Sequence, residues 1–159
     1  MILQIRSIGK LNHSQAKPWA NDYITRLKHY AQIDFIEFPS EEIPKKLTAS
    51  KKDQILAKEA QSLLTKIPDQ SHLVALWDQG KEYDSLAFSN QIRSWQQSGK
   101  NKFIFFIGGA LGLHPVLLKK VHQKLRLSSF TLAHELALVV FLEQLYRAHT
   151  ILRNEPYHK

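Results

Sequence analysis

The spacing of apolar and polar positions predicts strands and helices that alternate along the whole chain. Short apolar or alternating runs predict strands at residues 2–8, 33–38, 72–77 and 102–107, and a fifth short strand with a following loop at 125–131. Helices are predicted at residues 18–31, 50–66, 85–97, 114–124 and 134–152, with Asp84 or Ser85 as the N-cap of the third. Asp78-Gln79-Gly80-Lys81 predicts a turn, and residues 153–159 form a tail.

Strands separated by helices indicate a mostly parallel sheet that helices cover on both faces, which is a doubly wound α/β fold. At 159 residues, the chain is expected to form one domain, residues 1–159, with a full hydrophobic core. No internal repeat, low-complexity tract or linker divides the sequence.

Composition narrows the chemistry and the setting of the protein. The chain has no cysteine, which excludes disulfides, thiolate zinc sites and a cysteine nucleophile and fits a reducing cytoplasm. Met1 leads directly into an alternating strand pattern rather than a signal peptide. The longest apolar stretch, residues 136–142, is too short to span a bilayer. We therefore expect a cytoplasmic protein with no membrane partner.

The basic charge of the chain is concentrated in its last third. The net charge is +8; residues 100–159 hold nine Lys or Arg and three acids, and residues 1–99 hold thirteen and eleven. The two parts therefore carry +6 and +2. A concentrated basic surface favours a polyanionic partner such as nucleic acid. A basic surface without such a partner is the alternative that charge alone leaves open.

The fourth predicted strand runs into two adjacent glycines, Gly108 and Gly109, and Gly112 follows three residues later. Glycine permits a tight turn and close backbone approach, and open α/β sheets bind ligands at the carboxyl ends of their strands. The spacing is not that of a dinucleotide-binding fingerprint, and the lysine and hydroxyl of a phosphate-binding loop are absent. The pattern indicates either a simple strand-to-helix turn or a turn that holds a small ligand against backbone amides.

The last predicted helix begins at His134, and His149 and His158 lie near and beyond its end. Histidines at helical metal-ligand spacing and an accompanying acidic cluster are both absent, so no metal site is expected. The apolar residues of this helix cannot all face one core at 3.6 residues per turn. The helix is therefore either fully enclosed or in contact with another chain. Glu143 and Arg147, four residues apart, are placed to form an ion pair.

Four motifs in the last third of the chain are its most distinctive part. They read F-I-G-G-A-L-G-L at residues 106–113, L-S-S-F-T-L-A-H at 127–134, L-E-Q-L-Y-R-A-H at 142–149 and P-Y-H-K at 156–159. Together with L-W-D-Q-G-K at 76–81, they resemble the ribosomal RNA large subunit methyltransferase H family, a small branch of the SPOUT methyltransferases. The resemblance covers the whole chain. Departures fall at Trp77, Ala133 and Leu138, where the family has aspartate, proline and arginine in many members.

The resemblance implies a fold, a cofactor and a substrate. The C-terminal part of the α/β sheet would form a deep trefoil knot, the methyl donor would be S-adenosylmethionine, and the protein would be a homodimer. The enzyme would methylate N3 of a pseudouridine in a stem-loop of 23S rRNA, within the ribosome and at its subunit interface. The alternative is a non-catalytic RNA-binding or ribosome-binding protein with the same fold.

The same motifs imply which residues act. Cofactor contacts fall on eight positions, which are Leu76, Gly108, Leu127, Ser128, Ser129, Phe130, Thr131 and Leu132. RNA contacts are expected from Arg147, Tyr157, His158 and Lys159, because aromatic and basic groups stack on bases and contact phosphates. The proton on N3 of the pseudouridine must leave, so a base or a charge stabiliser is needed. His134 and His158 are the candidate bases, and neither is singled out by the sequence.

Overall fold

The computed structural model describes residues 1–159 and contains a five-stranded sheet in which every strand pairing is parallel. The strands are β1 Ile2–Ile8, β2 Gln32–Phe38, β3 His72–Glu82, β4 Lys102–Ile107 and β5 Gln123–Arg126. The helices are α1 Ala16–Leu27, α2 Ala49–Leu63, α3 Ser85–Gln97, α4 Pro115–Lys120 and α5 His134–Leu152. In space the strand order is β2-β1-β4-β3-β5. The predicted α/β fold with a parallel sheet between helices is confirmed, and the trefoil knot stays a prediction.

A hydrophobic core lies on each face of the sheet, because successive side chains of a strand point to opposite faces. In the central strand β4, Phe103, Phe105 and Ile107 pack in the core that includes α1, α3 and α5. Ile104 and Phe106 pack in the core that includes α2 and α4. Burial on both faces is typical of strands in a parallel sheet. None of the helices combines the length and the apolar character that crossing a membrane requires.

Strand β3 continues through the turn predicted at residues 78–81, so that prediction is wrong. The pairing of β3 with β5 shifts register between Leu76 and Lys81, which leaves an irregular section in β3. Gly80 lies in this section, where a Cβ atom would come within 2.7 Å of the backbone carbonyl carbon of Lys124. The D-Q-G-K pattern therefore marks an interruption of strand pairing rather than the end of a strand.

Strand β5 begins earlier than predicted because α4 is short. Val121 adopts an extended conformation, so α4 ends before the predicted boundary at residue 124. The backbone N–H of His122 donates to the carbonyl of Leu73 at 2.9 Å, and the N–H of Leu73 donates to Nδ1 of His122 at 2.9 Å. These two bonds fix the chain beside β3. The observed strand β5 therefore starts at Gln123, two positions before the predicted start at residue 125. The loop occupies the rest of the predicted range, residues 127–131.

Candidate active site

A cavity of about 700 Å³ opens at the edge of the sheet where the parallel strands end. Its wall is built from the irregular section of β3, the turn that follows β4 and the loop that joins β5 to α5. Ligands of open α/β sheets bind at this edge. The volume lies within the range of roughly 300–1,000 Å³ that is typical of small-molecule sites.

Most of the residues predicted to contact a cofactor line this cavity, namely Leu76, Gly108, Leu127, Ser128, Phe130, Thr131 and Leu132. Ser129 belongs to the same loop but is not part of the wall. His134 is part of the wall, whereas the four predicted RNA contacts are not. The structure thus brings the cofactor candidates together and holds the RNA candidates elsewhere.

The turn after β4 is closed by its own backbone. The N–H of Gly112 donates to the carbonyl of Gly109 at 3.0 Å. A Cβ atom on Gly108 would lie 2.3 Å from the carbonyl oxygen of Gly112 and 2.6 Å from its carbonyl carbon. Gly108 is therefore required because two stretches of backbone cross there. The space that its missing side chain leaves is filled by the turn itself rather than by a ligand.

Arg126, the last residue of β5, holds the loop that forms the opposite wall. Its Nε donates to the carbonyl of Ser128 at 2.9 Å, and its Nη2 donates to the carbonyl of Ser129 at 3.3 Å. Its Nη1 lies 3.6 Å from a carboxylate oxygen of Glu82 at the end of β3. The hydroxyl of Ser128 accepts from the N–H of Phe130 at 3.0 Å. The Arg126 side chain therefore ties the loop to the sheet. Phe130, in the same loop, is 82% exposed.

His134, the first residue of α5, contacts two strand ends. Its Nδ1 is 2.8 Å from the carbonyl oxygen of Gly108, which follows β4. Its Nε2 is 3.3 Å from the hydroxyl oxygen of Ser7, in β1. Both ring nitrogens are thus engaged by the protein in the arrangement that the structure shows.

The C-terminal tail folds back onto α5. The Arg147 guanidinium donates to a carboxylate oxygen of Glu143 from Nε at 3.0 Å and from Nη2 at 2.6 Å, which confirms the ion pair predicted from their spacing. The Tyr157 hydroxyl donates to the same oxygen at 3.0 Å. Arg147 also lies over the Tyr157 ring at 4.7 Å and donates to Nδ1 of His158 at 3.4 Å. Lys159 is exposed. We call Glu143, Arg147, Tyr157 and His158 the tail cluster.

Burial is the main cause that raises the pKa of Tyr157 above its ordinary value, and hydrogen bonds, including the one to Glu143, raise this pKa further. The hydroxyl therefore stays protonated and keeps donating to the carboxylate.

The contact between Arg147 and His158 fixes the role of one ring nitrogen. Because a guanidinium can only donate, Nδ1 of His158 is the acceptor. The neutral His158 ring then carries its hydrogen on Nε2, the atom that remains for a ligand.

The cavity and the tail cluster lie toward opposite ends of α5. His134 stands at the start of the helix and Arg147 thirteen positions later. At 1.5 Å per residue, the two are separated by about 20 Å along the helix axis.

Two ionisable residues of the cavity wall were not predicted from the sequence. Arg126 and Asp78 both line it. Arg126 directly precedes the L-S-S-F-T-L-A-H motif, and that position is the signal that the sequence offers. Asp78 was assigned to a turn, and its place in the wall depends on the interrupted pairing of β3, which local sequence does not reveal.

Comparison with known families decides the class of this site. Residues 1–158 match the family described as "Predicted SPOUT methyltransferase". The chain belongs to the SPOUT methyltransferase family. The resemblance inferred from the motifs is confirmed, and the protein is a methyltransferase, an enzyme that draws on a methyl donor.

Relatives of this SPOUT protein carry the name ribosomal RNA large subunit methyltransferase H. Those from Bacillus cytotoxicus, Listeria monocytogenes serotype 4b and Limosilactobacillus fermentum are 40%, 38% and 36% identical over 159 residues, and each alignment covers 100% of both chains. A solved structure of a probable methylase family protein from Haemophilus influenzae Rd KW20 gives a TM-score of 0.52 at 15% identity, covering 99% of this chain and 70% of that one. That structural similarity supports the fold alone.

Proposed function

We propose that this protein transfers a methyl group from S-adenosylmethionine to N3 of a pseudouridine in a stem-loop of 23S rRNA within the ribosome. The observation that carries the proposal is the cavity at the strand ends, where the motif positions Leu76, Gly108 and the loop after β5 converge. The full-length relatives named as methyltransferases of large-subunit ribosomal RNA support the choice of substrate. The basic last third of the chain, with a charge of +6, supports binding of RNA.

The chemistry of the cavity fits S-adenosylmethionine. Leu76, Leu127 and Leu132 offer apolar surface for an adenine, and the turn and the loop offer backbone groups to its polar edges. Asp78 supplies a carboxylate suited to a sugar hydroxyl or an ammonium group. At Gly108 the turn leaves no room for a side chain, so backbone forms this part of the wall. We assign these residues to the binding of the donor.

The bound donor would supply an electrophilic methyl group on a positively charged sulfur. The contribution of the chain is then to position the target nitrogen in line with that methyl group and to favour loss of its proton. Arg147, the Nε2–H of His158 and Lys159 are donors that can stabilise the negative charge of a deprotonated pyrimidine at its carbonyl oxygens. In this scheme the proton leaves to solvent, and the tail cluster stabilises the charge that remains.

A homodimer would unite the two regions. Arg147 lies about 20 Å along α5 from His134 in the cavity wall of its own chain, and an antiparallel partner helix could bring one chain's tail to the other chain's cavity. Large apolar side chains near α1, α5 and the cavity loop support such an interface, because Trp19 is 60%, Leu136 45% and Phe130 82% exposed in a single chain. We propose that each methylation site combines the cavity of one subunit with the tail of the other.

Tritium transfer tests the activity directly. Ribosomes from a strain that lacks this enzyme should accept label from S-adenosylmethionine, and digestion should place the label on N3 of a pseudouridine in the 23S rRNA. Ribosomes from the parent strain, which are already modified, are the control. Label on another base would refute the assigned target. Binding of ribosomes without binding of the donor or transfer of label would instead favour the non-catalytic alternative.

Arg126→Ala is expected to weaken binding of S-adenosylmethionine about tenfold, or about 1.4 kcal/mol, because the loop after β5 loses its bonds to the sheet. Titration calorimetry measures the effect. Arg126→Lys is the matched variant, since it keeps the charge but loses the forked pair of donors, and it should fall between wild type and alanine. An alanine variant with wild-type affinity would remove Arg126 from the construction of the site.

A further inference from the structure

We propose that His134 is a positioning residue that holds the glycine turn in the shape that binds the methyl donor, and that Ser7 holds the ring in place through its other nitrogen. The inference rests on the proposed function, because it concerns the same cavity. It assigns His134 a role other than proton acceptor, and it brings Ser7 into the site for the first time.

The hydrogen-bond partners determine the tautomer. A carbonyl oxygen only accepts, so the 2.8 Å contact with Gly108 requires a hydrogen on Nδ1 of His134. In the neutral ring, Nε2 is then an acceptor, and the hydroxyl of Ser7 can donate to it across 3.3 Å. Ser7 is 1% exposed, and His134 is the one hydrogen-bond partner that its hydroxyl has. A buried hydroxyl without this bond would lose a partner that solvent cannot replace.

The bonds join three segments that meet behind the cavity. Ser7 lies near the end of β1, Gly108 follows β4, and His134 begins α5. Glu135 strengthens the junction, because its carboxylate accepts from the backbone N–H groups of Asn12 at 3.2 Å and of His13 at 3.0 Å. The first turn of α5 is thus hydrogen-bonded both to the glycine turn and to the segment after β1.

The Gly108 carbonyl is the point at which this junction reaches the donor site. Gly108 begins the turn, and a Cβ atom added to Gly108 would lie only 2.3 Å from the carbonyl oxygen of Gly112. Rotation of the Gly108 peptide would therefore disturb the whole turn. The bond from Nδ1 of His134 opposes that rotation, so losing it should act first on binding of the donor.

Two substitutions separate the two ring nitrogens. The amide nitrogen of asparagine takes nearly the place of Nδ1, so His134→Asn can still donate to Gly108. The longer glutamine reaches toward Nε2, so His134→Gln can meet Ser7 but not Gly108. We expect the asparagine variant to bind S-adenosylmethionine within about threefold of wild type, and the glutamine variant to bind it about tenfold or more weakly.

Kinetics distinguish positioning from proton transfer. For a positioning residue, the glutamine variant should show a raised KM for S-adenosylmethionine, and its kcat at saturation should stay within about threefold of wild type. A proton acceptor would give the opposite result, in which both variants lose kcat while donor affinity is unchanged. That result would overturn the proposal, and so would equal donor affinity of the two variants.

A spectroscopic measurement on the unmutated protein keeps the proposal testable if a variant fails to fold. Nitrogen-15 NMR of the His134 ring should report the Nδ1–H tautomer in wild type and in Ser7→Ala, because the Gly108 carbonyl requires it in both, and a changed Nε2 shift in Ser7→Ala, which lacks the bond to that nitrogen. An Nε2–H tautomer in wild type would overturn the proposal. If wild type binds no S-adenosylmethionine, the proposed function fails, and the tautomer can still be measured in the free protein.

Discussion

Gly108→Ala is expected to lower the affinity for S-adenosylmethionine by about a hundredfold, or about 2.8 kcal/mol. The added methyl group would sit 2.3 Å from a backbone oxygen, and backbone cannot move aside as the end of a side chain can. The turn must therefore open, and its wall of the cavity moves with it. Calorimetry with the purified variant measures the loss, and thermal unfolding shows whether the rest of the fold survives.

Gly109→Ala is the matched control for that experiment. Its new methyl group would meet Cγ2 of Ile8 at 3.0 Å and the Glu59 carboxylate at 3.6 Å, and both contacts are longer than the 2.3 Å at Gly108 and involve side chains rather than backbone. We expect donor affinity to fall less than about tenfold in this variant. A folded Gly108→Ala protein that binds the donor as tightly as Gly109→Ala would show that the shape of the turn does not govern the site.

Deletion of residues 156–159 is expected to slow methyl transfer about tenfold to a hundredfold, while donor affinity changes by less than about threefold. The deletion removes Tyr157, His158 and Lys159, which can stack on a base and stabilise its charge, and it leaves the cavity of the same chain untouched. Tyr157→Phe is the control, because it removes only the hydroxyl bonded to Glu143. Full activity of the truncated protein would exclude the tail from the reaction.

Mixed dimers show which subunit supplies the tail. One subunit carries Gly108→Ala and an intact tail, and the other has an intact cavity and lacks residues 156–159. If the tail of one chain serves the cavity of its partner, mixing two nearly inactive proteins restores transfer. No restoration in a verified mixed dimer would place tail and cavity in the same chain. A monomer of 18.4 kDa that still methylates ribosomes would refute the dimer itself.

The elements that sequence predicted well are those whose signals are local. The bounds of β1, β4, α3 and α5 agree with their predicted ranges. For α3, the cap was visible in advance, since the Asp84 carboxylate accepts from the N–H of Ala87 at 2.6 Å. Predictions failed where distant parts of the chain decide. The irregular section of β3 depends on the backbone of β5, and the end of α4 depends on bonds from His122 to β3.

The residues of the candidate site likewise divide into those that the sequence predicted and those that depend on distant parts of the chain. The resemblance of the motifs identified the loop residues of the cavity, because the residues of a family motif lie in the same part of the fold in each member. It did not reveal Arg126, whose role depends on the path of the loop behind it, or Ser7, which is 127 positions from its partner His134. The resemblance also predicted Gly108 as a ligand contact, but it did not explain why this residue must be a glycine. The reason is that two stretches of backbone cross there.

Helix α5 is a spacer of fixed length. It starts in the wall of the cavity and carries the tail cluster near its far end, and its nineteen residues include neither glycine nor proline. At 1.5 Å per residue, such a helix measures about 28 Å. In the proposed antiparallel dimer, this length would set the distance between the methyl donor and the proposed RNA contacts at both sites. A substitution that bends α5 would thus misalign both sites, even if it touched neither ligand.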